Sequence, residues 1–552
     1  MRRISDVDRR RFLQGVGGAA AALAALNPKR VFAFPGESDP VDPETQGGVR
    51  RRRAFELRKA AAMEEFRLPV PEHLNNGDED LYLNRIGNYS KGLPHSPVGE
   101  VDPGAYQSLL HALQTGDPSD FDEIIIGGNV LLVDPQAGLA FDIEGTDSHQ
   151  LALGPPPALA SAERAAEAVE GYWMALLRDV NFTQYASNRL ALEASEELSR
   201  MSDFRGPKEN GGVTPRTLFR GFTTGDLIGP YVSQFLLKTV DFGAVTVEQK
   251  FNTYLRGTDY MTDHDSWLAV QDGRGPFANN QIDPTPRHVR NGRDLSAYVH
   301  IDVLFEAYFN ACLWLIDNGA PVNPGNPYYG PNRSRTQAGF GTFGPPHVKA
   351  LLAEVATRAL KAVWFQKWFV HRTLRPEEFG GLVHFTKTGE ANYPLDSQVL
   401  NSEAVARTFR RNHTYFLPHA FPEGCPQHPS YGQGHGTVAG ACATIVKAFF
   451  DESFVLSEIT DIVQPAEDGL SLVPYTGQDV DQITVGGEMN KIAANIAIGR
   501  NHAAVHWRSD YADSLPLGEA IAISVLRDQK GCYNESFDGF TFTKFDGTQI
   551  TV

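Results

Sequence analysis

Cysteine is scarce in this 552-residue chain, and the four that occur lie far apart along the sequence. They are Cys312, Cys425, Cys442 and Cys532, and no C-x-x-C pair is present. This spacing excludes a dense disulfide framework and gives no indication of a zinc site. An isolated disulfide remains open for a protein outside the cytoplasm.

The chain also lacks a net positive charge and long apolar runs. The formal net charge is −17, which argues against a nucleic-acid partner because phosphate backbones bind positive surfaces. An anionic ligand would need a local positive pocket within this acidic protein. No stretch reaches the roughly 18 apolar residues of a membrane-spanning helix, so no integral span is expected. The content of 41% hydrophobic and 21% charged residues is typical of a soluble globular protein.

The N-terminus has the pattern of a targeting segment. Residues 9–13 read RRRFL, an apolar Gly/Ala/Leu run covers 15–26, and small residues follow at 31–33. This order predicts a twin-arginine signal peptide over 1–33, and therefore export to the periplasm or the medium. The alternative is a short basic helix that stays on the protein.

Periodicity along the rest of the chain is mostly helical. Residues 34–53 are rich in Pro, Gly and charge and predict a flexible arm. Residues 54–552 predict one large, mainly α-helical bundle domain with minor β-hairpins and an active site within 360–512. A hairpin is expected over 124–145, with its turn at Asp134-Pro135. Helices are predicted at roughly 159–180, 296–317, 346–374, 433–451, 487–502 and 508–528.

The first segment that carries chemistry covers residues 367–376. On a continuous helix Lys367, His371 and Arg375 fall on one narrow stripe, and Pro376 ends the element. Aromatic and apolar neighbours place these charges near a core, where two cations repel each other unless an anion lies between them. The alternative is a helix end carrying basic residues that complement its dipole.

The second segment is a glycine-rich turn that enters a helix. It reads HPSYGQGHG over 428–436. Such a turn directs backbone N–H groups at an oxyanion, and His435 at the helix entry is placed as a general acid/base. The alternative is a tight turn with a packing histidine.

The third segment covers residues 500–510. Arg500 and His506 lie on opposite sides of a continuous helix, so they share a site only if the helix breaks between them. Asp510 follows His506 by one turn and is placed to orient its imidazole. His502 and His506 could instead bind a divalent metal, although no Glu stands between them.

Taken together and in this order, the three segments resemble the signature of the type-2 phosphatidic acid phosphatase and vanadium haloperoxidase superfamily. The similarity is greatest to the algal-type bromoperoxidases, in which the Arg-Pro arginine also lies eight positions after the lysine, as Arg375 does after Lys367. It extends to segments 76–79, 91–95, 172–180, 417–424 and 488–500, and thus over most of the mature chain.

The resemblance implies roles for individual residues of this sequence. His506 would bind vanadium directly, His435 would be the acid/base, and His428 would lie near the path of halide and peroxide. Lys367 would also polarise the peroxide during catalysis. The implied vanadate-binding residues are Lys367, Arg375, Gln433, Gly434, His435, Arg500 and His506.

Position 433 departs from the family pattern, in which serine is common. Gln433 can still donate a hydrogen bond, but its side chain is longer and more flexible than that of serine. The sequence therefore predicts weaker vanadate binding than a serine-containing site. A Gln433 that points away to cap the following helix is the alternative.

The resemblance implies a vanadate-dependent haloperoxidase that oxidises a halide, bromide before chloride, with hydrogen peroxide and transfers halogen to a small organic acceptor. Vanadium would keep its oxidation state. A homodimer or larger homo-oligomer is expected from the relatives. Two alternatives remain at this point: an acid phosphatase that forms a phospho-histidine at His506, and a non-catalytic oxyanion-binding protein.

Overall fold

A computed structural model describes residues 43–330 and 333–552. The predicted signal peptide over 1–33 lies outside the described residues. The predicted flexible arm over 34–53 is partly replaced by regular structure, because a long helix begins at Pro43 and continues to Arg67. Its charged composition, with four consecutive arginines, is compatible with a solvated helix as well as with a loop.

The described chain is mainly helical, as predicted, with sixteen α-helices. They are α1 Pro43–Arg67, α2 Asp78–Leu81, α3 Pro103–Thr115, α4 Pro118–Phe121, α5 Ala162–Leu177, α6 Arg189–Arg200, α7 His264–Gln271, α8 Gly292–Ile301, α9 Glu306–Asp317, α10 Pro345–Phe365, α11 Pro376–Thr388, α12 Ser397–Leu400, α13 Glu403–Asn412, α14 Gly434–Phe449, α15 Val485–His502 and α16 Arg508–Lys530.

Helix α14 is the centre of the bundle. It packs against α10, α15 and α16, and nearly all of its residues are buried. Two glycines allow α14 and α16 to approach closely: a Cβ on Gly440 would lie 2.1 Å from the Leu515 carbonyl oxygen, and one on Gly518 would lie 1.8 Å from that of Thr437. The N-terminus of α14, which carries the GQGHG turn, is therefore held rigidly by its neighbours.

Three small antiparallel sheets of two strands each lie outside this bundle. The strand pairs are β1 Val240–Phe242 with β2 Val245–Val247, β3 Val463–Pro465 with β4 Leu472–Pro474, and β5 Thr541–Thr543 with β6 Gln549–Thr551. The hairpin predicted over 124–145 was wrong: this fully described segment contains no strand and forms a 3₁₀-helix at Pro135–Leu139. Its backbone donors bond to other segments, from Gly127 to Gly92 and from Val133 to Gln427, and so are not available for a hairpin ladder.

Two of the predicted long helices are broken. The helix predicted over 296–317 is divided into α8 and α9, which meet at 97°. The helix predicted over 346–374 ends at Phe365, and a π-helical turn follows over Gln366–His371. Among the described helices no single one is long and apolar enough to span a membrane, and α8 and α9 meet that criterion only when the bent pair is counted together.

Candidate functional site

The candidate site lies at the bottom of a cavity of about 860 Å³ that opens at the N-terminus of α14. Six segments meet there: the loop around 133–140, the stretch 300–304 at the junction of α8 and α9, helix α10, the stretch 421–428, the start of α14, and the stretch from the end of α15 to the start of α16. The residues of the predicted site that line it are His428, Gly434, His435, Arg500 and His506.

Lys367 and Arg375 do approach the site, but not on a shared helical stripe as predicted. Lys367 lies in the π turn, Arg372 takes a left-handed conformation with φ 42°, and Arg375 is the extended residue before α11. Pro376 therefore begins the next helix, a position that suits its fixed φ and missing N–H. His371 is directed away from the site, with its ring 4.9 Å from that of Tyr431.

The Lys367 ammonium is completely buried at the site. Its Nζ donates to the carbonyl oxygens of Pro429 and Ser430, at 2.7 Å each. Burial, followed by the positive charge of Arg375, lowers the pKa of Lys367 well below its usual value. A bound anion would stabilise the protonated lysine, because opposite charges interact strongly in a desolvated pocket.

The Arg375 guanidinium joins two of the predicted histidines. Its Nε donates to the His428 carbonyl oxygen at 2.8 Å, and its Nη2 lies 2.8 Å from His428 Nδ1. Its Nη1 donates to the Val505 carbonyl oxygen at 2.7 Å and lies 2.9 Å from His506 Nε2. Arg375 is thereby fixed in one orientation beside the proposed vanadium ligand.

Arg500 reaches the same place from the end of α15. This helix ends at His502, and Ala504 in the connection has a φ of 66°, so the chain turns before His506. The structure thus brings Arg500 and His506 to one cavity, as a shared site requires. Arg500 Nη1 donates to the Val299 carbonyl oxygen, whereas its buried Nε has no hydrogen-bond partner among the described residues. Burial lowers the pKa of Arg500 to about 10.

His506 is oriented by a carboxylate behind it. Its Nδ1 lies 2.7 Å from Asp510 Oδ2, which also accepts from the Trp507 backbone N–H and from the Ser430 hydroxyl. Burial, and then the charges of Arg375 and Lys367, hold the pKa of His506 well below its usual range. A neutral imidazole with its proton on Nδ1 presents the Nε2 lone pair to the cavity, which is the form that ligates a metal.

His435 stands in the first turn of α14, at the rim of this cluster. Its Nε2 lies 3.1 Å from Asp302 Oδ1. Burial raises the pKa of Asp302, but the charge and hydrogen bond of His435, together with the charge of Arg500, hold that pKa below its usual value. Asp302 was missed in the sequence, since it lies 133 positions from His435 and its only local signal is the chain break between α8 and α9.

His428 packs under the cavity wall. Its ring centroid is 4.6 Å from that of Trp364, and Arg375 contacts its Nδ1. Burial, followed by the charges of Arg375 and Lys367, lowers the pKa of His428 well below its usual value. His428 is therefore a neutral, fixed side chain that can accept a hydrogen bond.

Gln433 does not take the position predicted from the family pattern. Its Nε2 donates to the Ala497 carbonyl oxygen of α15 at 2.8 Å, and its side chain makes no capping bond to α14. The residue is buried and does not line the cavity, whereas Gly434 does. The Gln433 side chain is long enough to reach the neighbouring helix α15. Both alternatives given for Gln433, contact with the vanadate ion and capping of the following helix, are therefore wrong.

We expect Gln433→Ser to lower stability rather than to change vanadate affinity. The shorter side chain cannot reach Ala497, and loss of a buried hydrogen bond together with side-chain volume costs about 1–3 kcal/mol. Thermal unfolding and equilibrium titration with vanadate measure the two effects separately. Vanadate binding that becomes tenfold tighter at unchanged stability would contradict this assignment.

The His502 and His506 pair does not form a metal site. His502 Nε2 lies 3.2 Å from the Tyr231 hydroxyl, and its ring packs against Phe182 and Phe219. His506 Nδ1 bonds to Asp510 instead. The alternative of a divalent metal held by these two histidines is therefore wrong.

The whole arrangement fits a tetrahedral oxyanion. Lys367, Arg375 and Arg500 bring three buried cations to one place, and the unpartnered Arg500 Nε is an unused donor. The first-turn N–H groups of α14 add further donors, since they have no acceptor within their own helix. His506 Nε2 supplies one directed lone pair, so the site can hold an oxyanion of an element that also accepts a nitrogen ligand.

Known proteins are similar to this chain in both sequence and structure. A family model described as the VCPO second helical-bundle domain matches residues 350–535. Vanadium-dependent bromoperoxidases of Corallina pilulifera and Ascophyllum nodosum are each 36% identical, in alignments that cover 91% and 93% of this chain and 98% and 94% of theirs. The homohexameric structure of the second vanadate-dependent bromoperoxidase from A. nodosum has a TM-score of 0.86 at 32% identity, over 94% of this chain and 92% of that one.

Proposed function

This chain belongs to the vanadium-dependent bromoperoxidases, and we propose that its cationic site binds vanadate and uses hydrogen peroxide to oxidise bromide. One observation carries the proposal. Three buried cations act on His506, whose Nε2 lies 2.9 Å from Arg375 Nη1 and whose Nδ1 is fixed by Asp510. This is the donor set that a vanadium(V) oxyanion needs, namely one nitrogen ligand and positive charge for the oxygens.

Each residue of the site has a distinct task. Bound vanadate supplies a Lewis acid that activates peroxide toward attack by halide. His506 Nε2 would be the ligand of bound vanadate, and Asp510 keeps the imidazole proton on Nδ1. Lys367, Arg375 and Arg500 neutralise the oxygens, which is effective because they are desolvated and already oriented.

Proton transfer is assigned to His435. It lines the cavity, and Asp302 holds its ring through Nε2, which leaves Nδ1 to give or accept a proton at the cavity. His428, neutral and bonded to Arg375, lines the same cavity on the Trp364 side, where halide and peroxide would pass.

A direct comparison of two activities tests this function. Vanadate-loaded protein is assayed for bromide oxidation with hydrogen peroxide, and vanadate-free protein for hydrolysis of a phosphate monoester. We expect bromide oxidation that requires both vanadate and peroxide. Ester hydrolysis without bromide oxidation would instead support the acid phosphatase that forms a phospho-histidine at His506. Vanadate binding without either activity would support an oxyanion-binding protein.

We propose that the chain forms a homo-oligomer through the segment 124–145. Apolar side chains of this segment are exposed, with Leu131 70% and Ile143 fully exposed, and patches of this kind favour contact between copies. The homohexamer of the A. nodosum relative supports an assembly of several subunits.

Ile143→Asp is expected to shift the protein toward smaller species, because a charge in an apolar interface is costly to desolvate. Analytical ultracentrifugation gives the mass of each species. Val245→Asp is the control, since Val245 is also an exposed apolar residue (61%) but lies on β2, outside the segment. An equal loss of assembly in both variants would contradict a specific interface.

We also propose that residues 1–33 direct export by the twin-arginine pathway. The RRRFL motif and the apolar run that follows support this proposal. Replacing Arg9 and Arg10 together with lysine is expected to retain the protein in the cytoplasm, as cell fractionation would detect.

A further inference from the structure

The cavity is much larger than hydrogen peroxide and bromide require. Its volume of about 860 Å³ lies in the range of roughly 300–1,000 Å³ that is usual for sites of organic ligands. Peroxide and halide together fill only a small part of it. A third molecule therefore has room next to His435 and His506.

The walls favour a flat, apolar molecule. Trp364 and Leu360 of α10 line one part of the cavity, and Leu304 and Phe421 line another. Aromatic and aliphatic walls bind ring systems through apolar burial and stacking.

The charges of the lining favour a neutral molecule. Among the described lining residues, the carboxylates of Asp134 and Glu423 balance the cations of Lys361 and Arg500. A ligand with a net charge of either sign gains little from such a balanced lining.

A fixed polar pair interrupts the apolar wall. His300 Nε2 lies 2.5 Å from Glu423 Oε1, the Tyr254 hydroxyl bonds to His300 Nδ1, and the His300 ring stacks on Phe421 at 3.8 Å. Both nitrogens of His300 are thereby engaged, so the ring is held in place and in turn holds one carboxylate oxygen.

The other carboxylate oxygen of Glu423 remains available to a ligand. Besides the His300 ring and the backbone N–H of Glu423 itself, no described residue donates a hydrogen bond to this carboxylate, and the side chain is 35% exposed where it lines the cavity. The proposed peroxidase reaction, carried by His506 and His435, does not use this pair.

We propose that the cavity binds a neutral aromatic alcohol as the halogen acceptor, with its ring against Trp364 and Leu304 and its hydroxyl donating to Glu423. This inference rests on the proposed peroxidase function, which supplies the hypohalous acid. A ring carbon forms a bond to bromine with its own electron pair while the bromine–oxygen bond breaks. The ring then loses its proton, which joins the released hydroxide as water. Glu423 is thus a specificity-determining residue.

A competition between two acceptors tests the role of Glu423. Phenol and its methyl ether, anisole, are mixed with enzyme, bromide and peroxide, and the ratio of brominated products is compared with the ratio given by free hypobromous acid. The ratio is independent of total turnover. We expect the enzyme to favour phenol roughly tenfold more than free hypobromous acid does, because a hydrogen bond to a carboxylate contributes about that factor.

Glu423→Gln is expected to return the ratio to that of free hypobromous acid. The matched control is Glu209→Gln, since Glu209 is also an ion-paired and partly exposed carboxylate, with a side chain 30% exposed, but lies away from the cavity. An enzyme ratio equal to that of free hypobromous acid, or one that Glu423→Gln leaves unchanged, would overturn the proposal.

Binding without turnover provides the second measurement. Phenol is titrated into vanadate-loaded enzyme by calorimetry in the absence of peroxide, and Leu304→Trp is used to fill the cavity. We expect saturable binding that weakens at least tenfold in both Leu304→Trp and Glu423→Gln. Binding that neither variant weakens would contradict the site. The protein could also bind phenol, with weaker binding in both variants, and yet fail to oxidise bromide. That result would refute the peroxidase function but support the phenol-binding site.

Discussion

His506→Ala is expected to abolish stable vanadate binding and, with it, bromide oxidation. The Nε2 of His506 lies 2.9 Å from Arg375 Nη1, its Nδ1 bonds to Asp510, and the charges of Lys367 and Arg500 also act on its ring. Mutation of a residue that only hydrogen-bonds to a metal ligand usually lowers metal affinity by about 10–100-fold. Removal of the ligand itself should cost more, so vanadate affinity should fall by more than about hundredfold. Vanadium content after desalting and equilibrium titration measure the loss.

A control must separate this effect from damage to the core. His371→Ala is well matched, because His371 is buried to a similar degree, 3% exposed against 5% for His506, and lies in the nearby π turn but faces away from the cavity. Circular dichroism and thermal unfolding compare the two variants. Vanadate binding at wild-type affinity in His506→Ala would refute the assignment of the ligand.

His435→Ala is expected to retain vanadate but to lose most turnover. His435 lies at the cavity rim and bonds to Asp302, whereas the three cations that hold the oxyanion are untouched by the change. A general acid/base contributes about 10²–10⁴-fold to a rate. Steady-state bromide oxidation at saturating vanadate should fall by that factor.

Asp302→Asn gives a graded test of the same role. An amide keeps the hydrogen bond that positions the His435 ring but removes the carboxylate charge beside it, so turnover should fall less than in His435→Ala. A His435→Ala enzyme within a fewfold of wild type would move the acid/base role to His428, the next histidine on the cavity wall.

The sequence was most informative where one short segment carries several functional residues. Arg500 and His506 lie six positions apart, so on a continuous helix they would face opposite sides, and a shared site required a break between them. Asp510 follows His506 by four positions, which predicted a carboxylate one turn away behind the imidazole. Helix positions in the bundle were also predictable from periodicity. The residue types alone fit a vanadate site and a phosphate site equally well. The family resemblance then favoured vanadate and gave each residue a role.

The failures share a physical cause, since each depends on contacts between distant segments. The strand-like segment 124–145 gives its backbone donors to Gly92, Gly273 and Gln427, which no local pattern shows. Gln433 reaches a carbonyl on another helix, and Asp302 meets His435 across 133 positions. The amino-acid composition of a π turn does not differ from that of an α-helix. Nothing in the sequence therefore indicated the turn, and residues 367–375 were expected to form a regular helix with one stripe of basic side chains.

The π turn between α10 and α11 makes this part of the chain sensitive to length as well as to composition. A π turn accommodates one residue more than an α turn, and such insertions are frequent at functional sites. Deleting Val370 would allow regular α-helix to continue and would rotate Arg375 by about 100° relative to Lys367. Such a deletion should abolish vanadate binding in a titration, whereas exposed loops tolerate single-residue changes in length. Redesign of this pocket can therefore vary side chains around the turn but must keep its residue count.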